Sequence, residues 1–121
     1  MREIKFRGKR FGNREWIRGS LLAFNGRTSI VCEVAEISMQ EYDVDPATVG
    51  QYTTKCDRLQ REVYEDDIVR DEFGSIGVVI FIEGAFAVDF GEWIELQELN
   101  TGILEVCEII GNRFDNPELL K

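Results

Sequence analysis

Five acidic residues within eight positions, Glu65, Asp66, Asp67, Asp71 and Glu72, are the densest supply of hard oxygen ligands in the chain. Such oxygens suit Mg²⁺ or Ca²⁺. Their spacing does not suit a site. An EF-hand loop sets ligands at alternate positions around a glycine, with a distal Glu. Adjacent side chains on an extended segment point to opposite faces, so three neighbouring acids rarely converge. Two-metal nuclease sites usually add a Lys or His, and none is close in sequence here. A carboxylate-metal hydrolase centred on Asp66 and Asp67 is therefore the weakest reading, and no metal site is assigned. Turn chemistry is favoured, with Asp67 accepting from nearby backbone amides ahead of a strand at Ile68.

The chain of 121 residues contains no histidine. That excludes Ser-His-Asp and Cys-His triads, imidazole acid/base work and His-ligated metals. Cys32, Cys56 and Cys107 are widely spaced and form no C-x-x-C. They read as free thiols in a reducing compartment, because closed zinc sites need four Cys or His ligands. Gly74-Ser75-Ile76-Gly77 lacks the Lys-Ser/Thr ending of a phosphate loop and is followed by a strand pattern rather than a helix. No catalytic residues and no cofactor are assigned.

The basic start offers a different chemistry. Residues 1–27 carry eight Lys/Arg against Glu3 and Glu15, and the remainder carries six basic and 21 acidic residues. Lys5, Arg7, Lys9, Arg10 and Arg14 interleave with Phe6, Phe11 and Trp16. Cations could touch phosphates while an aromatic stacks on a base. A half-buried strand produces the same pattern, and charge on an edge strand commonly blocks aggregation. The net charge of −9 argues against broad attraction to nucleic acid. For this segment a role without any partner comes first, a protein or subunit contact second, and nucleic acid third.

The elements that position these residues read as β-rich. Ile4 and Phe6 alternate with Lys5 and Arg7, and Gly8 to Asn13 reads as a turn. Asn25-Gly26 predicts a type I′ hairpin joining Leu21–Phe24 to Ser29–Val34. Glu36 to Thr48 looks irregular, with Asp45 as a cap and Pro46 at the first position of at most one helical turn. Val49–Tyr52 is a short strand and Thr53–Glu62 a polar excursion. Strands follow at Val63-Tyr64, Ile68-Val69, Ile76–Ile82 and Ala85–Phe90. Trp93–Leu99 is ambiguous between strand and helical turns, Ile103–Ile110 is a last strand, and Asn116-Pro117 opens a brief helical turn. Short strands at about ten-residue spacing suggest a small barrel or strongly bent sheet. The expected architecture is mainly β with little helix: an N-terminal β-sheet subdomain over residues 1–47 and an SH3-like barrel-type unit over residues 48–121. No apolar run approaches the ~18 residues a membrane span needs, and the start has no signal-peptide pattern, so the expected location is cytoplasmic.

Two segments carry a resemblance. Gln51, Tyr52, Thr53, Asp57, Val63, Tyr64, Glu65, Asp67, Ile68 and Val69 fit the pattern Q-Y-T-G-L-x-D-x-x-G-x-x-I-Y-E-G-D-I-V. Ile110, Gly111, Asn112, Asn116, Pro117, Glu118, Leu119 and Leu120 fit V-I-G-N-x-x-E-N-P-E-L-L. With the Ile4–Arg7 opening, the chain resembles the YopX family of phage and prophage proteins over nearly its whole length. Thr54, Lys55 and Gln60 stand where that family often has Gly, Leu and Gly, so the Thr53–Glu62 loop is expected to take another conformation. Asp66 replaces the usual Gly of E-G-D, and Asp tolerates a left-handed backbone well enough to keep the turn. The resemblance implies phage origin, expression in the cytoplasm of a bacterial host, self-association and no established catalytic residues. Gln51, Tyr52, Thr53 and Tyr64 could floor a polar pocket or simply pack. Asn112 and Asn116 read as loop-closing caps, or Asn112 and Phe114 as a base contact. The expected function is that of a non-enzymatic accessory protein acting through protein–protein contacts as a homo-oligomer.

Overall fold

The computed structural model describes residues 2–92 and 94–121; Trp93, the first residue of the ambiguous segment, lies outside them. The chain divides into two compact units, residues 1–52 and 53–121. The division falls inside a strand, beyond the Asp45–Thr48 loop where the sequence had suggested a boundary.

The first unit is built on strands β1 (Phe6–Lys9), β2 (Trp16–Phe24), β3 (Arg27–Ala35) and β4 (Ser38–Asp43), with the start of β5 (Gly50–Cys56). All pairings are antiparallel, in the order β4-β3-β2-β1-β5. The β2–β3 hairpin closes on Phe24 opposite Arg27, with Asn25 and Gly26 at φ 51° and 75°, as a type I′ turn requires. Ile17, Ile30 and Val44 form the core, flanked by Phe6, Leu21, Cys32, Tyr42 and Val49. β1 extends through Gly8 and Lys9, which the sequence had assigned to a turn. Gly8 belongs there because a Cβ would come within 2.9 Å of Val44. β4 corrects the reading of 36–48 as irregular: five of its six residues are exposed. Its pairing with β3 therefore rests on backbone bonds and leaves no apolar alternation to read. Asp45 accepts from the Ala47 N–H at 3.0 Å ahead of a helical turn at Pro46–Thr48.

The second unit continues β5 alongside β6 (Glu62–Tyr64) and adds β7 (Asp67–Arg70), β8 (Ile76–Ile82), β9 (Ala85–Asp89), β10 (Gln97–Glu98) and β11 (Glu108–Asn112). The last five form an antiparallel sheet in the order β10-β9-β8-β7-β11. Val63, Val69, Val79, Val88, Leu99, Leu104 and Cys107 make its core. Burying each Val or Leu contributes ~1.5–3 kcal/mol. Among the described residues this sheet does not close into the expected barrel: it ends on the two-residue β10 and on β11. Ile103–Val106 is a helical turn rather than the start of the last strand. Gly102 enters it at φ 80°, and Leu104 is turned into the core, which shortens β11. No helix among the described residues is long and apolar enough to cross a membrane.

Candidate functional site

In the first unit, β1 lays Arg7 and Lys9 along one face, as strand alternation requires, and Lys5 directly precedes it. The register sets Lys9 opposite Trp16 and Arg7 opposite Arg18. The guanidinium of Arg7 lies 4.6 Å from the Trp16 ring centroid and the ammonium of Lys9 5.5 Å from it. Lys5 sits over Tyr52 at 4.9 Å and Arg10 over Tyr42 at 4.7 Å. Each cation thus meets the negative face of an aromatic ring. Arg7 and Lys9 retain only 4% and 7% of their surface, while Arg14 is exposed and pairs with Asp45 at 3.6 Å. Gln51 pairs with Phe6, and the Tyr52 N–H donates to the Lys5 carbonyl.

The second unit brings the two motif segments together. β11 pairs with β7, setting Asn112 opposite Asp67 and Gly111 opposite Ile68. The Arg113 N–H donates to the Asp66 carbonyl at 2.9 Å, and its guanidinium lies 3.4 Å from the Asp66 carboxylate. Asp66 has φ 76°, the left-handed turn expected of it. Asp67 is buried and accepts from the Tyr64 N–H at 2.8 Å, the capping bond the sequence anticipated. The Tyr64 hydroxyl donates to Glu62 at 3.4 Å. Asp66 and Asp67 thus face different partners. Among the described residues no three His, Cys, Asp or Glu side chains are grouped to hold a metal.

Thr53 is buried; its hydroxyl donates to the Val63 carbonyl at 2.8 Å and accepts from the Lys55 N–H. In the tail, Asn112 Oδ1 accepts from the N–H groups of Phe114 and Asp115. Asn116 Oδ1 accepts from the Asn112 N–H at 3.2 Å. A Cβ on Gly111 would collide with that same oxygen, so the Asn116 side chain leaves room only for glycine there. Pro117 occupies the first position of the closing turn Pro117–Leu120.

The residue that holds most of this together is Asp57, which sequence reasoning noted only as a motif match. Its Oδ1 accepts from the N–H groups of Leu59 and Arg61. Its Oδ2 accepts from the Arg61 guanidinium, at 2.8 and 3.0 Å, and from the Ile109 N–H at 3.0 Å. The side chain is fully buried. Desolvation pushes its carboxyl upward, but the Ile109 and Arg61 N–H groups and the Arg61 charge together outweigh this and hold it below the usual range. Beside it, Glu108 bridges Arg70 at 2.6 Å and Arg58 at 3.0 Å. The Arg70 hydrogen bond is the main cause of its lowered pKa. Cys107 is buried, and desolvation, with the charges of Asp71, Glu72 and Asp57, raises its thiol to about 11. It is therefore protonated and inert at neutral pH.

Thr54 and Gln60 hold φ of 69° and 64°. The backbone thus takes the conformation a glycine permits, despite the side chains that had suggested otherwise. A β-branched residue such as Thr is costly there.

The fold and these motif contacts agree with the sequence comparison. The YopX protein family matches residues 5–121, and the chain belongs to that family. No curated protein matches the chain. A solved structure, that of protein EF1440 from Enterococcus faecalis, is similar over 100% of both chains, with a TM-score of 0.64 and 19% identity; that likeness shows the fold alone.

Proposed function

We propose that the protein is a phage- or prophage-encoded accessory protein of the bacterial cytoplasm. It works without catalysis, as a homo-oligomer that contacts phage or host proteins. The observation that carries this reading is the apolar surface of the β2–β3–β4 segment. Phe24, Met39 and Ile37 are 71%, 70% and 100% exposed, and Leu22 and Val34 about half exposed. Leu22 and Phe24 lie at one end of this meander and Val34, Ile37 and Met39 at the other, and exposed apolar side chains of this size are places a partner can cover. β4 adds an edge with unpaired backbone groups, which a further strand can extend.

The nucleic-acid alternative needs the N-terminal cations free to meet phosphate. Lys5, Arg7, Lys9 and Arg10 instead stack on Tyr52, Trp16 and Tyr42, which favours protein contact. Size-exclusion chromatography with light scattering, with and without a mixed-sequence oligonucleotide, tests the choice. A defined oligomer indifferent to the oligonucleotide is expected. A monomer that shifts with the oligonucleotide at low salt and releases it at moderate salt would overturn the proposal.

A further inference from the structure

Two sheet edges end differently. On the outer edge of β11, neighbouring groups take up the backbone. The Cys107 carbonyl accepts from the Arg58 N–H, and the Ile109 carbonyl from the Arg61 guanidinium. The Ile109 N–H donates to Asp57, and the N–H and carbonyl of Asn112 both bond to Asn116. β4 has no such cover. The Val44 N–H donates to the Thr28 carbonyl, and Tyr42 and Gln40 stand opposite Ile30 and Cys32. These alternate residues turn their backbone groups toward β3, so Met39 and Glu41 turn theirs outward. A bridge between Arg10 and Val44 occupies the far end. Among the described residues no backbone group reaches Met39 or Glu41 from outside the sheet. β4 also carries neither the proline nor the lysine that commonly blunts an edge. Its surroundings are acidic: residues 28–54 include no Lys or Arg and five acids. Asp43 and Asp45 pair with Arg27 and Arg14. Glu33, Glu36 and Glu41 are exposed and, among the described residues, take part in no ion pair.

We propose that the open stretch of β4 adds a strand from a partner protein, an extended segment in which Lys or Arg alternates with apolar residues. This rests on the reading of β2–β4 as a contact surface, and it assigns the edge to another protein rather than to a second copy. The added backbone pairs with Met39 and Glu41. Glu33 stands opposite Met39, so Glu33, Met39 and Glu41 share one face. The cations of the added strand lie on that face, where they meet the carboxylates and their aliphatic stems cover Met39. Backbone bonds supply affinity, and the alternate side chains select the partner. A second β4 would instead bring acid to an acidic edge, and like charges across a ladder are unfavourable.

The test is titration of the ¹⁵N-labelled full chain with short capped peptides, followed by amide chemical shifts. The peptides are a Lys-Val repeat, a Glu-Val repeat, and the Lys-Val repeat N-methylated at every amide. Lys-Val is expected to shift the amides of 37–43 and to slow hydrogen exchange at Met39 and Glu41. Glu-Val should bind about five-fold more weakly or worse, the difference between opposite and like charges across the ladder. The methylated peptide keeps the charge, loses the donors and should not bind at 37–43. Glu41→Lys should weaken Lys-Val and strengthen Glu-Val. That side chain is exposed, and the unliganded spectrum verifies the fold. Equal binding of Lys-Val and its methylated form, equal binding of Lys-Val and Glu-Val, shifts confined to other segments, or no shift would each overturn the proposal. Light scattering of the free protein reports self-association independently, so a monomer that binds Lys-Val at 37–43 supports the edge and removes only the homo-oligomer.

Discussion

Two loops of the second unit have the same hydrogen-bond plan and different surroundings. In Asp57–Arg61 the Asp57 N–H donates to the Arg61 carbonyl, the Gln60 N–H to the Asp57 carbonyl, and Asp57 Oδ1 accepts from the N–H groups of Leu59 and Arg61. In Asp71–Ser75 the Asp71 N–H donates to the Ser75 carbonyl, the Gly74 N–H to the Asp71 carbonyl, and Asp71 Oδ1 accepts from the N–H groups of Phe73 and Ser75. Both are a turn followed by one left-handed residue, the three-residue hairpin loop with a bulge. The Asp71 loop places Gly74 at that position, with φ 86°, and its carboxylate stays local. The Asp57 loop places Gln60 there, and its second carboxylate oxygen reaches Arg61 and the N–H of Ile109 on β11. One loop only turns the chain; the other also clasps two elements far apart in sequence.

The largest expected contrast is between the two acids. Asp57→Ala leaves the N–H groups of Leu59, Arg61 and Ile109 without their acceptor and should destabilise by about 3 kcal/mol. That lowers Tm by on the order of 10 °C. Asp71→Ala should cost about 1 kcal/mol, because this half-buried carboxylate serves only the amides of its own loop, where water can replace it. Equal losses in denaturant titrations of the two variants would break the comparison.

Acid titration sharpens it. The folded pKa of Asp57 lies below its unfolded value, so the unfolded chain binds more protons in acid. Its contribution is full above about pH 4, where the unfolded carboxyl ionises, and is lost as pH falls through the folded value. Asp57→Asn should flatten the acid limb of the stability profile, measured as denaturant midpoint against pH.

A smaller effect lies at the left-handed positions. Gln60→Gly should stabilise by about 1 kcal/mol, and Gly74→Gln should destabilise by a similar amount, because a side chain there crowds its own carbonyl. Thermal melts of the two variants should move in opposite directions.

These contrasts also show what the sequence made legible. Asn25-Gly26, Asp45-Pro46 and the Asp67 cap are local: their partners lie within three residues, and residue type alone signals the geometry. The Asp57–Ile109 bond spans 52 positions, and nothing near Asp57 announces it. β4 was illegible because an exposed strand has no apolar period. The Ile103–Val106 turn was illegible because a short apolar run fits a strand or a turn equally well. At Thr54 and Gln60 the backbone demand overrides the preference of the side chains. In the basic N-terminal segment the sequence supplied both cations and rings but not their pairing, which the register of β1 and β2 decides.

The proposed function separates residues that hold the fold, centred on Asp57, from an exposed apolar surface proposed for partner contact. Its most direct test is light-scattering mass together with thermal melting for the wild type and for the double variant Phe24→Ser/Ile37→Ser. These side chains are 71% and 100% exposed, so the variant should melt within a few degrees of wild type yet fall from an oligomer to a monomer. A wild type that is monomeric at every concentration, or a variant whose mass is unchanged, would contradict it.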